Sequence, residues 1–274
     1  MRKGLIKMQI QVLVPTMGAT DFSKVEEMNL RSTGVIFANQ TDHCGFERKE
    51  FPERGVSAVM ISTNTRGVSL NRNIAMAYAD APIILFSDDD QRFADDFAQT
   101  VKTEFENHPE ADGIKFVCRS TNPLRPLAYH GPAEFRKASF RVLMSAGVPA
   151  FAVRRGRLEK YDLQFPNSVG PGKEYNCGED SVFMRNLLRS PLKIYCSPLC
   201  ISEVSQEDSC WFKGYDEHYF ITSGYIYGKI YGSFAPLMLV RKAWKLRKKA
   251  GMTLWNMISL QKKGMHRYRS TKNN

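Results

Sequence analysis

The sequence predicts an α/β fold: a mostly parallel sheet flanked by helices, followed by a basic helical extension at the C-terminal end. Three observations carry this expectation. Short apolar runs at residues 10–15, 35–38, 56–62, 83–87 and 113–118 alternate with segments of helical periodicity. The runs are apolar on both faces, as strands covered by helices on each side must be. Charge is divided along the chain: twelve of the 39 Lys and Arg residues follow Glu217, whereas none of the 28 acidic residues does.

Taken in order, residues 10–15 read as a first buried strand that stops at Pro15, with Gly18 opening a polar loop. Residues 35–38 give a second strand with the polar end Asn39, Gln40, Thr41 and Asp42, and residues 56–62 give a third. A helix over 69–80 follows, capped by Ser69, with Leu70, Ile74 and Ala77 sharing one face and Pro82 ending it. Strand 83–87 then delivers three consecutive carboxylates, Asp88, Asp89 and Asp90. Helix 95–107 aligns Phe97, Val101 and Phe105, and strand 113–118 succeeds it. Prolines at 123, 126, 132 and 149 loosen the pattern over 121–164, where one helix is expected around 136–146. Residues 175–179 form a loop, 181–189 a helix carrying Val182, Met184 and Leu188, and 194–196 a last short strand.

The tail predicts an amphipathic helix over 236–250. Leu239, Ala243, Leu246 and Ala250 line one face, and Lys242, Lys245 and Lys249 line another. Gly251 interrupts it before a second apolar stretch at 254–258. The expected division is an α/β body over residues 1–217 and an extension over 218–274.

A chain of 274 residues with 43% hydrophobic residues can bury a sizeable core. The six cysteines form no CxxC pair, which argues against a zinc site and for reduced thiols in a cytosolic protein. No Arg-led apolar run resembling a signal peptide is present, and residues 219–240 are too broken by Lys229, glycines and Pro236 to span a membrane. The acid-free tail, with Trp244 and Trp255, predicts peripheral docking on an anionic membrane, at the inner face of the plasma membrane. Nucleic acid is the rival partner for such a tail, and the nearly neutral body argues against it.

Three adjacent carboxylates repel one another unless neutralised, and a hard divalent cation is the usual solution. The alternative is an ordinary solvated turn after a strand. Arg72 and Asn73 lie near a helix start, where free amides and the macrodipole favour phosphate. Glu179 and Asp180 stand at another helix entrance, where a carboxylate serves either as a cap or as a general base.

Residues 67–75, the strand end Phe86, Ser87, Asp88, Asp89 and Asp90, and the group Gly178, Glu179 and Asp180 followed by Phe183 resemble the family 2 glycosyltransferases of the GT-A fold. The similarity runs from about residue 11 to about residue 227 and is strongest to bacterial enzymes that build surface polysaccharides. It implies inverting, metal-dependent transfer of a sugar from a nucleotide-diphosphate donor, UDP-linked, to a hydroxyl of a saccharide or lipid-linked acceptor.

Residue by residue, it implies that Asp90 binds Mn2+ or Mg2+, that Asp88 binds the metal or the ribose, and that Asp89 assists beside them. Pro15, Thr16, Asn39, Arg72 and Asn73 fall on the nucleotide-sugar side. Asp180 is then the base of an ED motif, with Glu179 and Trp211 toward the acceptor. Trp211, Tyr215 and Phe220 read either as a stacking surface or as core.

Two departures stand out. Many relatives place an aspartate just after the second strand to hold uracil, whereas here the strand ends Ala38, Asn39, Gln40, leaving amides to read the base. After Cys200, Glu203 and Gln206 stand where some relatives supply a metal-binding histidine, which makes Glu203 a substitute ligand. A sugar nucleotidyltransferase would share the fold but want a glycine-rich basic signature near the first strand, and residues 14–18 lack one.

Overall fold

The computed structural model describes residues 9–205 and 214–272. Among them, those within Met1–Phe165 and Phe183–Glu207 form one compact unit, and those within Pro166–Val182 and Asp208–Asn274 form a second. The helical unit therefore draws in the 166–182 segment as well as the tail.

In the first unit, β1 (Ile10–Met17) is the hub of a twisted sheet. It pairs in parallel with β2 (Gly34–Gln40) on one side and with β5 (Ile83–Phe86) on the other. Beyond β2 lie β4 (Val56–Thr63), parallel, and β3 (Gly45–Phe51), antiparallel at the edge. Beyond β5 come β9 (Phe151–Arg154), antiparallel to both neighbours, then β7 (Gly113–Ser120) and β10 (Ile194–Val204). Two short strands, β6 (Gln91–Phe93) and β8 (Arg136–Lys137), pair antiparallel with β10.

Alternation along the strands splits the core into two layers. Ile10, Val12 and Val14 pack with Val25 of α1 (Lys24–Glu27) and with Phe97, Val101 and Phe105 of α3 (Phe97–Asn107). On the other face, Leu13, Ile36 and Ile84 pack with Ala75 of α2 (Val68–Tyr78), Leu143 of α4 (Phe140–Ala146), Leu158 of α5 (Arg155–Lys160), and Phe183 and Leu187 of α6 (Glu179–Arg189). The α3 face is the one its spacing predicts.

The first strand does not stop at Pro15 but continues to Met17. Leu13 O accepts Ser87 N–H, so the odd residues of β1 turn their polar groups toward β5. That ladder ends at Leu13, and the missing N–H of Pro15 costs no bond. α2 is rotated relative to expectation. Leu70, Ile74 and Ala77 remain partly or fully exposed, while Ser69, Asn71, Arg72 and Ala75 are buried. Gly67, not Ser69, occupies the cap position. The expected helix over 136–146 divides into β8 and α4, and the last strand is eleven residues long instead of three.

The second unit holds α7 (Glu217–Tyr231), α8 (Ala235–Leu246) and α9 (Leu254–Lys272). Asp216 caps α7, accepting Tyr219 N–H at 2.7 Å. α7 and α9 meet backbone to backbone. A Cβ on Gly224 would overlap the Gln261 carbonyl, and one on Gly264 would overlap that of Ile221. Leu239 and Ala243 of α8 face inward as predicted. Lys242 does not join the solvent face: its ammonium donates to Ser223 Oγ at 2.7 Å and lies 4.5 Å and 4.9 Å from the ring centres of Tyr219 and Tyr227. Burial pushes its pKa down to about 8. Among the described residues, no helix is long and apolar enough to cross a membrane.

Candidate functional site

The order of strands reverses about β1, with β2 on one side and β5 on the other, so a crevice opens beyond their carboxyl ends. The aspartate triplet leaves β5 at this point. Arg72 Nη2 donates to Asp88 Oδ1 at 2.7 Å, and Thr16 Oγ1 donates to Asp89 Oδ2 at 2.8 Å. Four of the expected residues, Thr16 on β1, Arg72 on α2, and Asp88 and Asp89 in the turn after β5, thus converge in one place.

Arg72 is held by more than its ion pair. Its guanidinium lies 5.2 Å from the Phe165 ring centre. Asn73 fixes Phe165 by two bonds, donating to Phe165 O at 3.0 Å and accepting Phe165 N–H at 2.9 Å. Asn73 therefore braces the arginine's stacking partner. Asn71 explains the rotation of α2: its amide donates to Ala38 O at 2.8 Å and Thr16 O at 3.4 Å, lashing the helix start to the ends of β2 and β1.

The turn itself is clamped by Gln91, a residue that sequence reading passes over. Its Oε1 accepts Asp88 N–H at 3.0 Å and the Ser87 hydroxyl at 2.8 Å, while Nε2 donates to Ser202 Oγ at 2.8 Å. Desolvation, then repulsion from Asp88 and Asp89, raises the pKa of Asp90 to about 6, even though part of the residue remains open to solvent. The protein's own cations under-compensate this turn.

Asn39 is buried and its amide is engaged with the chain. It accepts Ala19 N–H at 3.0 Å and donates to Ala19 O at 2.8 Å and Ser62 Oγ at 3.2 Å. It shapes the loop after β1. Strand β2 runs on through Gln40, which moves the true strand end to Thr41 and Asp42. Asp42 lines a cleft of about 520 Å³ together with Met17, Gly18, Thr20, His43 and Arg66. A hydrogen bond from the His43 ring, with a smaller charge effect from that ring, lowers the Asp42 pKa, so it is an anionic acceptor. An aspartate therefore stands two residues beyond the end of β2.

Hard carboxylate oxygens on Asp88 and Asp90, crowded with Asp89 in one turn, suit Mn2+ or Mg2+, which are commonly held by one or two carboxylates together with substrate phosphates. Among the described residues, no three His, Cys, Asp or Glu side chains group closely enough to hold a metal alone. The donor set fits an ion shared with a diphosphate. Glu203 lies in β10 in register with Arg92 and Arg119, exposed, while its neighbours Ser202 and Val204 turn toward the Gln91 side.

In the second unit, Glu179 and Asp180 open α6. Gly178 adopts φ +92°, and a Cβ there would run into Ile226, so glycine is required immediately before the pair. Glu179 packs on Gly170, in a loop closed by Gly170 N–H donating to Tyr175 O at 2.8 Å. Phe220 is wholly buried and belongs to the helical core instead of a stacking surface. Trp211 and Gln206 lie outside the described residues.

Residues 35–162 match the model of glycosyl transferase family 2. This stretch contains Asp42, Arg72 and the aspartate triplet and ends before Glu179. No curated protein shows significant similarity to the chain. Among solved structures, S. aureus TarS 1-349 in complex with UDP-GlcNAc matches with a TM-score of 0.62 at 15% identity, over 88% of this chain and 73% of that one. The same protein in complex with UDP gives 0.60 at 14% identity, over 88% and 72%. A longer S. aureus TarS structure gives 0.60 at 15% identity, over 88% and 44%.

Proposed function

We propose that this chain, which shares the GT-A fold and matches the glycosyl transferase family 2 model over residues 35–162, is a glycosyltransferase that transfers a sugar from a UDP-linked donor to an acceptor hydroxyl with inversion, in polysaccharide biosynthesis. The observation that carries the reading is the convergence of Arg72 on Asp88 and Thr16 on Asp89 at the strand reversal, within the family-matched stretch. It puts an oriented cation and two fixed carboxylates where nucleotide ligands bind in such sheets.

Asp42 accepts the imide N–H of uracil from the rim of its cleft. Arg72 balances charge on the diphosphate as it leaves. Asp88 and Asp90 would hold Mn2+ or Mg2+, which would supply Lewis-acid stabilisation of the leaving diphosphate. Asp180 takes the proton from the acceptor hydroxyl, and the freed oxygen attacks the anomeric carbon from the face opposite the diphosphate, inverting its configuration. Glu179 braces the loop from Gly170 to Tyr175 beside that base.

The acceptor is a saccharide or lipid-linked glycan at the inner face of the plasma membrane. Phe234, Leu237, Val240 and Trp244 are exposed in and just before α8, and Trp255 is exposed at the start of α9. With the acid-free charge of the tail, they support peripheral binding to anionic lipid.

The test is a screen of nucleotide sugars for Mn2+-dependent thermal stabilisation, followed by turnover on the best donor. A UDP-sugar should raise the melting temperature of wild type and of Asp180→Asn alike. Turnover of that variant should fall by roughly two to four powers of ten. Unchanged turnover removes Asp180 from the mechanism, and absence of stabilisation by every UDP-sugar removes the donor assignment.

A further inference from the structure

Two clefts of about 400 Å³ and 330 Å³ adjoin at a shared wall of Tyr129 and His130 in the first unit. The first is rimmed by Arg136, Lys137 and Arg141, the second by Arg119, and neither lining includes an Asp or Glu. Among the described residues, none of these basic side chains is ion-paired to a carboxylate. Exposed cations usually have acids interspersed among them; here four basic residues line two adjoining clefts whose own walls contain none, with Glu203 beside Arg119 on the neighbouring strand.

The groove is built on fixed backbone. β8 pairs Arg136 with Cys196 and Lys137 with Tyr195 of β10. Ala138 N–H donates to Ile194 O at 2.9 Å, and Ser139 caps α4, which carries Arg141 along the rim. Gly131, at φ +79°, lies flat on Val117, where any Cβ would collide, so the floor between the clefts is set by close backbone contact. Tyr129 stands over the buried Lys115 at 5.5 Å.

The second cleft backs onto the clamp of the aspartate turn. It is lined by Cys118, whose sulfur lies 3.3 Å from Gln91 Nε2, and the same amide group of Gln91 holds the Asp88 backbone through its oxygen. One side chain separates the groove from the aspartate turn.

We propose that this groove binds the acceptor, and that the acceptor is an oxyanion-bearing glycan, carrying phosphate or carboxylate groups along its length. The proposal rests on the glycosyltransferase reading for the word acceptor and on the groove itself for the anion. Guanidinium forks at 119, 136 and 141 match phosphate and carboxylate alike. The side chains are largely exposed, so binding weakens as salt rises.

The experiment uses the full chain and its Arg136→Glu/Arg141→Glu variant, with both positions exposed and outside the donor site. Sodium tripolyphosphate and trigalacturonate are the probes, and hydrogen exchange localises them, because the basic tail also attracts anions. Protection of residues 128–145 by either probe, weakened about tenfold or more in affinity by the double variant, while UDP-sugar stabilisation stays at the wild-type level, supports the proposal. The probe that binds more tightly identifies phosphate or carboxylate as the natural group. Protection confined to residues 236–272, equal affinity in wild type and variant, or protection of the groove by single-stranded RNA but by neither probe would overturn it. If the groove is protected in a chain that no nucleotide sugar stabilises, the anion site stands, but its assignment to an acceptor falls together with the donor reading.

Discussion

Replacing Arg72 by methionine tests the centre of the proposed donor site, because the side chain is only 4% exposed and both its ion pair and its ring contact are lost. A hydrogen bond to a charged group contributes about 1.5–3 kcal/mol. The partner carboxylate of Asp88 is 43% exposed, so water can rehydrate it and the low end applies. The stacking on Phe165 adds about 0.5–1 kcal/mol. The expected cost is therefore about 2 kcal/mol, or roughly 4–8 °C of melting temperature at about 2–4 °C per kcal/mol for a unit of this size. The diphosphate also loses its fixed cation, which should weaken UDP by about tenfold to thirtyfold.

Scanning calorimetry without ligand reads the first quantity, and titration with UDP in the presence of Mn2+ reads the second. Arg72→Lys should fall between, since it keeps the charge but lacks the planar fork and stacks less well on Phe165. If the methionine variant melts within a degree of wild type and binds UDP equally well, the ion pair is incidental and the donor site lies elsewhere.

Three further outcomes follow from the same geometry. Asp42→Asn should weaken UDP by about tenfold while leaving ADP and GDP nearly unchanged; isothermal titration of the three nucleotides checks this, and equal losses for all three would contradict a uracil contact. Asp90 has a folded-state pKa of about 6, raised from 3.8. The folded protein therefore binds that proton more tightly, and the associated stability is present below about pH 4 and lost as pH rises through 6. In metal-free buffer, Asp90→Asn should flatten the decline in melting temperature between pH 4 and 7, and a slope matching wild type would refute the assignment. Finally, Leu237→Ser/Trp244→Ser should reduce cosedimentation with anionic liposomes, and wild-type binding itself should collapse in high salt; retention equal to wild type would refute docking through α8.

The parallel core was legible because its strands are buried on both faces and their composition is correspondingly apolar. β3 was not legible, since an exposed edge strand of sequence Gly-Phe-Glu-Arg-Lys-Glu-Phe needs no apolar run. β9 and α5 were hidden within a proline-rich stretch where contacts with distant strands, not local pattern, decide the conformation. α2 shows a deeper limit. Hydrophobic spacing pointed Leu70 and Ile74 inward, but the bonds of Asn71 to the ends of two strands turn the polar face toward the sheet. A sequence displays side-chain polarity but not which distant carbonyl will satisfy it. The same limit hid Gln91, and it put Asn39 forward as a base reader, when its amide shapes a loop, ahead of Asp42 in the same polar strand end. Arg72 and the triplet were visible because a motif resemblance supplied the missing long-range information.

The glycine seam between α7 and α9 has a consequence for how this tail can change. Where two helices touch through side chains, a larger residue on one can be matched by a smaller one on the other. At Gly224 and Gly264 the opposing surface is peptide carbonyl, which has no smaller version. A methyl group at either position would wedge the rods apart and let solvent reach the enclosed Gln261 amide. Substitutions that retune the outward-facing surface of α8 are therefore free to accumulate, while the hinge-like pair behind it has a single permitted spacing.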